Sequence, residues 1–149
     1  MEAKDLEIVR IRDFSDDVFE SYRNLAKSPN DTDYAEISEE GFKENLSEKH
    51  IFLLMARKRN ELEWIGTASL FIINSAEPMA LLADVAVDKR FRCQKIGSLL
   101  CKEAQRIAFN NNVINMMASV TTNNSAAYHM LRNVGFESDM NEQKLTYIV

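Results

Sequence analysis

Residues 81–100 read LLADVAVDKRFRCQKIGSLL, and the interpretation of the whole chain depends on this stretch. Residues 81–87 form an apolar run typical of a strand, a basic turn follows, and an amphipathic helix begins near Ile96 and Gly97. A strand that leads through a glycine-bearing turn into a helix directs several backbone N–H groups at one point, and the helix dipole adds positive potential there. The stretch therefore predicts an anion-binding site.

The charge of the turn indicates which kind of anion the predicted site binds. Four basic side chains surround the turn: Lys89, Arg90, Arg92 and Lys95. The whole chain of 149 residues carries a formal net charge of −5, so the turn has the opposite sign to the rest of the protein. Such a local reversal favours a phosphate-bearing ligand over a general basic surface.

Two motifs resemble one enzyme family. Residues 92–97, RCQKIG, resemble the acetyl-CoA pyrophosphate loop of the GCN5-related N-acetyltransferases (GNAT superfamily), Arg/Gln-x-x-Gly-x-Gly/Ala. Residues 124–136, NSAAYHMLRNVGF, resemble the family's C-terminal motif, Asn-x-x-Ala-x-x-x-Tyr-x-Lys-x-Gly-Phe. Lys95 replaces the central glycine of the loop, and Leu131 replaces the tyrosine that contacts the cofactor sulfur. A lysine fits the loop if its side chain points outward and its N–H points inward.

The hydrophobic periodicity predicts elements in the order that this family has. We expect strands over residues 7–12, 51–56, 64–73, 80–87, 113–121 and 145–149. We expect helices after Ser15, after Ser38, over 96–110 and over 125–132, with a polar loop over 30–36. No linker or repeat divides the chain. The expected fold class is therefore α/β: a single N-acetyltransferase domain over residues 1–149 with the GNAT (acyl-CoA N-acyltransferase) fold, a mixed central sheet flanked by helices.

The resemblance implies a site for acetyl-CoA, bound as a co-substrate. In the family, the strand that corresponds to residues 85–87 has a β-bulge, and a free backbone N–H there stabilises the oxyanion of the transition state. The cofactor-binding residues implied by the two motifs and this strand are Val85, Ala86, Val87, Arg92, Cys93, Gln94, Lys95, Ile96, Gly97, Ser98, Asn124, Ala127 and Leu131.

Two residues are candidates for proton transfer. Asp84 directly precedes the strand residues expected to contact the acetyl group, so it is the carboxylate best placed to deprotonate an amine. The alternative is a solvated or purely structural aspartate. Tyr128 lies three residues before Leu131 on the same predicted helix face, and we hypothesise that it protonates the leaving thiolate in place of the missing tyrosine. The alternative is a tyrosine that packs its ring and keeps its hydroxyl in water.

The acceptor implied by the resemblance is a small-molecule primary amine. Residues 37–42, 65–71 and 83–88 are similar to stretches of eukaryotic glucosamine-6-phosphate N-acetyltransferases, which implies an amino sugar phosphate such as glucosamine 6-phosphate. The basic residues that could bind its phosphate are Lys43, Lys49, Arg57, Lys58 and Arg59. Ala83 replaces the glutamate that precedes the core-strand aspartate in the family. Because Leu131 and Ala83 depart from the family, one alternative is a non-catalytic acyl-CoA-binding domain. Because Lys95 replaces the loop glycine, the other is a scaffold domain with the same fold.

Composition argues against several other classes of function. A pI of about 5.1 without a basic stripe disfavours nucleic acid, and the isolated His50 and His129 disfavour a metal site. No apolar run approaches the ~18–20 residues of a membrane span, and the charged N-terminus lacks a signal-peptide core, so we expect a cytoplasmic protein with reduced cysteines. A homodimer through the strand over 145–149, as an open sheet edge, is a further expectation.

Overall fold

The computed structural model describes residues 2–27, 36–120, 125–138 and 144–149. Within these ranges the strands are β1 (Leu6–Ile11), β2 (Ile51–Lys58), β3 (Trp64–Ile73), β4 (Met79–Val87), β5 (Asn115–Ser119), β6 (Glu137–Ser138) and β7 (Lys144–Ile148). The helices are α1 (Asp16–Ala26), α2 (Glu39–Ser47), α3 (Ile96–Asn110) and α4 (Ser125–Asn133), with short 3-10 turns at Ala3–Asp5 and Lys89–Phe91. Most of the loop predicted over 30–36 lies outside the described residues.

The strands form one mixed sheet in the order β1-β2-β3-β4-β5-β7-β6. Every neighbouring pair is antiparallel except β4 and β5, which run parallel. Parallel neighbours need a crossover connection, and α3 provides it between these two strands. The predicted fold class, a mixed α/β sheet flanked by helices, is confirmed.

Helices cover both faces of the sheet, so its central strands are buried on both sides. On β2, Leu54 belongs to the hydrophobic cluster beneath α3, whereas its neighbour Met55 belongs to the cluster beneath α1 and α2. Successive side chains of a strand point to opposite faces, and this explains why adjacent residues enter different clusters. The two clusters fix α1 and α3 on opposite sides of β3 and β4.

Serine caps start the first two helices, as the sequence predicts. The Ser15 Oγ accepts a hydrogen bond from the Val18 backbone N at 3.1 Å. The Ser38 Oγ accepts one from the Gly41 backbone N at 3.0 Å. Each cap satisfies a backbone donor that has no partner inside its own helix.

The C-terminal strand differs from its expected position. β7 pairs with β5 on one side, and its residues Leu145 and Thr146 pair with β6 on the other. The expectation that residues 145–149 form an open edge is therefore wrong for Leu145 and Thr146. β6 was not predicted, because two residues are too few to show a period of two.

Within the described ranges, no helix combines the length and the apolar character that crossing a membrane requires.

Candidate active site

The site begins at an irregularity in β4. Ser69 of β3 pairs with Ala83, and Thr67 pairs with Ala86, so Asp84 and Val85 together face a single residue of β3. Asp84 has a φ of 54°, in the left-handed region. A β-bulge of this kind removes one residue from the hydrogen-bonded ladder. The predicted bulge is present, and it lies at Asp84–Val85.

The sheet also opens beside this bulge. The parallel pairing of β4 with β5 ends at Leu82 and Ala118, one residue before Ala83. Ser119 continues β5 beyond this point, and its partner is Lys144 of β7, on the side of β5 away from β4. The carboxyl ends of parallel strands are where α/β proteins usually bind ligands. The structure therefore places Asp84 and Val85 at the mouth of a gap between two strands.

The basic turn leads from β4 into α3 through two left-handed residues. Cys93 has a φ of 64° and Lys95 a φ of 67°, and both residues are exposed. Lys95 is the N-cap of α3, and it makes no side-chain cap hydrogen bond. The side chain of the N-cap residue therefore accepts no hydrogen bond from the backbone N–H groups in the first turn of α3. This geometry fits a phosphate group, which needs several N–H donors converging near a helix N-terminus.

Lys95 adopts the conformation that the family's glycine favours. A glycine reaches positive φ without a steric penalty, whereas an L-residue does so at some cost. Because the Lys95 side chain is exposed, it leaves the start of α3 accessible. The expected arrangement, with the side chain pointing outward, is compatible with this exposure.

One of the four basic side chains of the turn is already neutralised. The Arg90 Nη2 lies 2.9 Å from the Asp88 Oδ2, and Arg90 also forms an ion pair with Glu63. The hydrogen bond from Arg90 lowers the pKa of the Asp88 carboxyl, and the bonds to Asp88 and Glu63 raise the pKa of Arg90. Lys89, Arg92 and Lys95 are exposed. Phosphate binding would therefore rely on these three cations.

Asp88 shapes the turn. Its Oδ1 accepts a hydrogen bond from the Arg90 backbone N at 2.9 Å, which caps the 3-10 turn Lys89–Phe91. The Asp88 carboxylate thus stabilises the backbone conformation of the segment that joins β4 to the loop.

The other loop positions act through backbone or packing. Ile96 is buried in the core beneath α3, so only its backbone can face a ligand. Gly97 is also buried, and a Cβ added there would lie 2.4 Å from the Met130 Sδ of α4. Gln94 and Ser98 are half-buried. A side chain at position 97 would therefore force Met130 of α4 to shift, so Gly97 lets α3 pack closely against α4 with Met130 in its present position.

Residues 85–87 contribute backbone more than side chain. Val85 and Val87 are half-buried and pack against the core beneath α3. Ala86 pairs with Thr67 on the other face of the sheet. Because the valine side chains are directed into the core, the backbone of the bulge is the part of this strand that can contact an acetyl group.

Asp84 has a partner that the sequence did not reveal. The Tyr22 hydroxyl of α1 donates a hydrogen bond to the Asp84 Oδ2 at 2.9 Å. Asp84 is exposed, whereas Tyr22 is only 5% exposed. In the sequence, Tyr22 stands at the helical spacing of its apolar neighbours Val18 and Leu25, a pattern that shows no partner for its hydroxyl. The one available signal was that a buried tyrosine hydroxyl usually has a hydrogen-bond partner.

The second catalytic candidate lies elsewhere. The Tyr128 hydroxyl donates to the Ser138 Oγ of β6 at 3.2 Å. β5 and β7 separate β6 from β4, a distance of about 14 Å at the usual strand spacing. The structure therefore does not bring Tyr128 and Asp84 together, and the role of Tyr128 as an acid stays a prediction.

The remaining positions of the C-terminal motif are described only in part. Leu131 is 3% exposed and belongs to the core beneath α3, so its side chain packs rather than lines a cleft. Ala127 is half-buried on α4. Asn124 lies outside the described residues, so its predicted role as a cofactor ligand stays a prediction.

The two cysteines differ in exposure, and the buried one does not have the surroundings of a catalytic nucleophile. Both are free thiols; Cys93 is exposed, whereas Cys101 is buried in α3. Burial raises the pKa of the Cys101 thiol to about 12, which keeps it protonated and unreactive. In the described ranges, no group of three His, Cys, Asp or Glu side chains is arranged to hold a metal ion.

Solved structures share this fold at low sequence identity. PaiA N-acetyltransferase from Thermoplasma acidophilum, in complex with coenzyme A, is 21% identical over 97% of this chain and 99% of its own, with a TM-score of 0.76. The NatC complex bound to Gag peptide and CoA contains a chain that is 17% identical, with 97% and 99% covered and a TM-score of 0.75. The aminoglycoside acetyltransferase meta-AAC0020, from an uncultured soil metagenomic sample and in complex with trehalose, is 16% identical, with 89% and 88% covered and a TM-score of 0.75.

The sequence itself matches one family. No curated protein sequence is significantly similar to the chain. The model of the acetyltransferase (GNAT) family matches residues 11–136. This range includes β4 and all residues of both motifs, 92–97 and 124–136. Because this match covers most of the sequence, the chain belongs to the acetyltransferase (GNAT) family.

Proposed function

We propose that this protein is an acetyl-CoA-dependent N-acetyltransferase that transfers the acetyl group directly to a small primary amine. The observation that carries the proposal is the bulge at Asp84–Val85, which lies where β4 and β5 part and a short distance along the chain from the uncapped start of α3. The coenzyme A complexes of two structures with the same fold support the choice of acyl donor.

Bound acetyl-CoA would supply the activated acetyl group as a thioester. Backbone N–H groups at the start of α3, with Lys89, Arg92 and Lys95, would hold its phosphates. The backbone freed by the bulge would donate a hydrogen bond to the oxyanion that develops on the acetyl carbonyl. Such a donor typically contributes about 3–4 kcal/mol to lowering the barrier.

Asp84 is the proposed base. Its carboxylate is exposed beside the bulge, so it can accept a proton from an ammonium group and leave the amine free to attack. No covalent enzyme intermediate is part of this proposal, since a buried, protonated Cys101 and a Cys93 in the phosphate loop are unsuited to attack the acetyl carbonyl. Protonation of the thiolate by Tyr128 is a further proposal, and it would require the bond to Ser138 to break.

The identity of the amine is a finer proposal. Glucosamine 6-phosphate is one candidate, suggested only by three short stretches of sequence, and no curated protein sequence is significantly similar to the chain. Four of the five basic residues considered for its phosphate have other contacts: Arg57 with Glu7, Lys58 with the ring of Phe91, Lys43 with Glu39 and Arg59 with the Lys4 carbonyl. We therefore include phosphate-free amines as candidates of equal rank.

The test is release of the CoA thiol from acetyl-CoA in the presence of a panel of amines: glucosamine 6-phosphate, glucosamine, spermidine and a peptide with a free N-terminus. We expect turnover with at least one amine, and about a 100-fold lower kcat for Asp84→Asn. Asparagine tolerates positive φ nearly as well as aspartate, so this variant removes the base and keeps the bulge.

Two outcomes contradict parts of this proposal. Saturable binding of acetyl-CoA without turnover on any amine would favour a non-catalytic acyl-CoA-binding domain. Full activity of Asp84→Asn would show that another group deprotonates the amine.

A further inference from the structure

The polar contact between α1 and β4 joins two parts of the chain that are 62 residues apart. The Tyr22 hydroxyl lies 2.9 Å from the Asp84 Oδ2. We infer that Tyr22 is a positioning residue, which orients the Asp84 carboxylate for proton transfer; the inference rests on the proposed function of Asp84.

The Tyr22 ring is buried and packs against an aromatic cluster. It is 5% exposed, and its centroid lies 5.2 Å from that of Phe42 on α2. Phe42 in turn packs against Phe19 at 5.0 Å and Phe14 at 6.3 Å. A ring packed this closely has few rotamers available, so its hydroxyl is presented at a defined point.

Asp84 is much less confined than the buried Tyr22 ring. Its backbone is fixed by the bulge, but the carboxylate is exposed, and an exposed aspartate samples several rotamers. A hydrogen bond to Oδ2 restricts this motion. The carboxylate has a second oxygen, Oδ1, which can accept the proton of an ammonium group.

The contact also links the acceptor side of the site to the helices. α1 contacts both β3 and β4 on the face of the sheet opposite α3, whereas the phosphate loop leads into α3. A change at Tyr22 is therefore expected to alter the proton-transfer step and to leave acetyl-CoA binding intact.

The variant Tyr22→Phe removes the hydroxyl and keeps the ring. With the fastest amine of the panel we expect kcat to fall about tenfold, whereas the KM and the calorimetric Kd for acetyl-CoA change less than twofold. The matched control is Tyr147→Phe on β7, whose ring packs on Phe136 at 5.5 Å, and the kcat of this variant should be unchanged.

The second test combines two variants. In an Asp84→Asn background, Tyr22→Phe should lower kcat less than twofold further, because the carboxylate that Tyr22 positions is gone.

The outcomes separate this inference from the function on which it rests. An unchanged kcat in Tyr22→Phe, with Asp84→Asn strongly impaired, overturns the positioning role alone. An equal tenfold loss in both backgrounds, or a weaker Kd for acetyl-CoA, shows a general structural role instead. An absence of turnover by the wild-type protein with every amine overturns the proposed function and this inference together.

Discussion

Three residues of the proposed site adopt backbone conformations that L-residues rarely adopt. Asp84, Cys93 and Lys95 have φ values of 54°, 64° and 67°. The other non-glycine residues with positive φ in the described ranges are Asn60 and Asn112, and asparagine tolerates this region well. Strained backbone persists where the surrounding structure holds it, and it often marks functional sites. In this protein the strained residues lie in the bulge and in the Arg92–Gly97 loop.

Lys95 allows the strain to be measured. Replacing it by glycine removes a left-handed penalty of roughly 1–2 kcal/mol and adds roughly 0.5–1 kcal/mol of chain entropy to the unfolded state. In urea unfolding without ligand, we expect Lys95→Gly to raise the free energy of unfolding by up to about 1.5 kcal/mol. Lys95→Ala is the control, because it removes the charge and keeps the Cβ. A Lys95→Gly variant that is less stable than Lys95→Ala by the full entropy cost of glycine would show that the Lys95 backbone is not strained.

Contacts between distant residues were beyond prediction from the sequence. Asp84 could be selected as a candidate because it stands beside the strand residues 85–87 in the chain itself. Its partner Tyr22 is 62 positions away, and the ion pair between Arg90 and Glu63 spans 27 positions. No local pattern encodes such contacts, since they depend on how α1 and β3 pack against β4.

Among the elements, α3 and α4 meet at a glycine. A Cβ on Gly97 would lie 2.4 Å from the Met130 Sδ and 3.6 Å from the Val87 Cγ2. Because real Cβ contacts are essentially never that short, an added methyl group must displace Met130 or separate the helices. The motif glycine of the loop thus has a packing role that the family pattern alone does not reveal.

The variant Gly97→Ala tests this packing role. Alanine favours a helix over glycine by up to about 1 kcal/mol, but its Cβ forces the Met130 side chain to shift. We therefore expect Gly97→Ala to leave the free energy of unfolding unchanged or slightly lower. In a Met130→Ala background the obstacle is removed, and the same substitution should become neutral or stabilising. Urea unfolding of all four proteins gives the coupling energy. Purely additive effects would contradict a direct contact between the two positions.

Secondary structure was predictable wherever an element carried a clear period or a cap. The strand over 64–73 agrees with the structure at both ends, and the Ser15 and Ser38 caps mark where α1 and α2 begin. β1 was displaced by one residue, since strand ends depend on pairing with β2. β6 was missed, because its two residues exist as a strand only through pairing with β7.

At the scale of the whole molecule, two halves of the site come from different parts of the chain. The bulge and the Arg92–Gly97 loop both lie within residues 83–97. The residues proposed to bind the acyl donor could therefore be predicted from one continuous stretch of sequence. The half proposed to bind the amine includes Tyr22 of α1, which is 62 residues earlier in the sequence than Asp84. The acceptor is consequently the part of the function that the sequence predicted least.

The central claim is that the bulge and the Arg92–Gly97 loop form one acetyl-CoA site. The most direct measurement is the thermal unfolding midpoint with acetyl-CoA, free CoA or ATP. A ligand at about 100 times its Kd adds roughly 2.7 kcal/mol, so we predict a rise of about 5–10 °C with both CoA species, and none with ATP at the same concentration. Arg92→Glu should lose the rise, whereas Lys102→Glu, an exposed charge reversal further along α3, should keep it. No rise at millimolar acetyl-CoA would contradict the account.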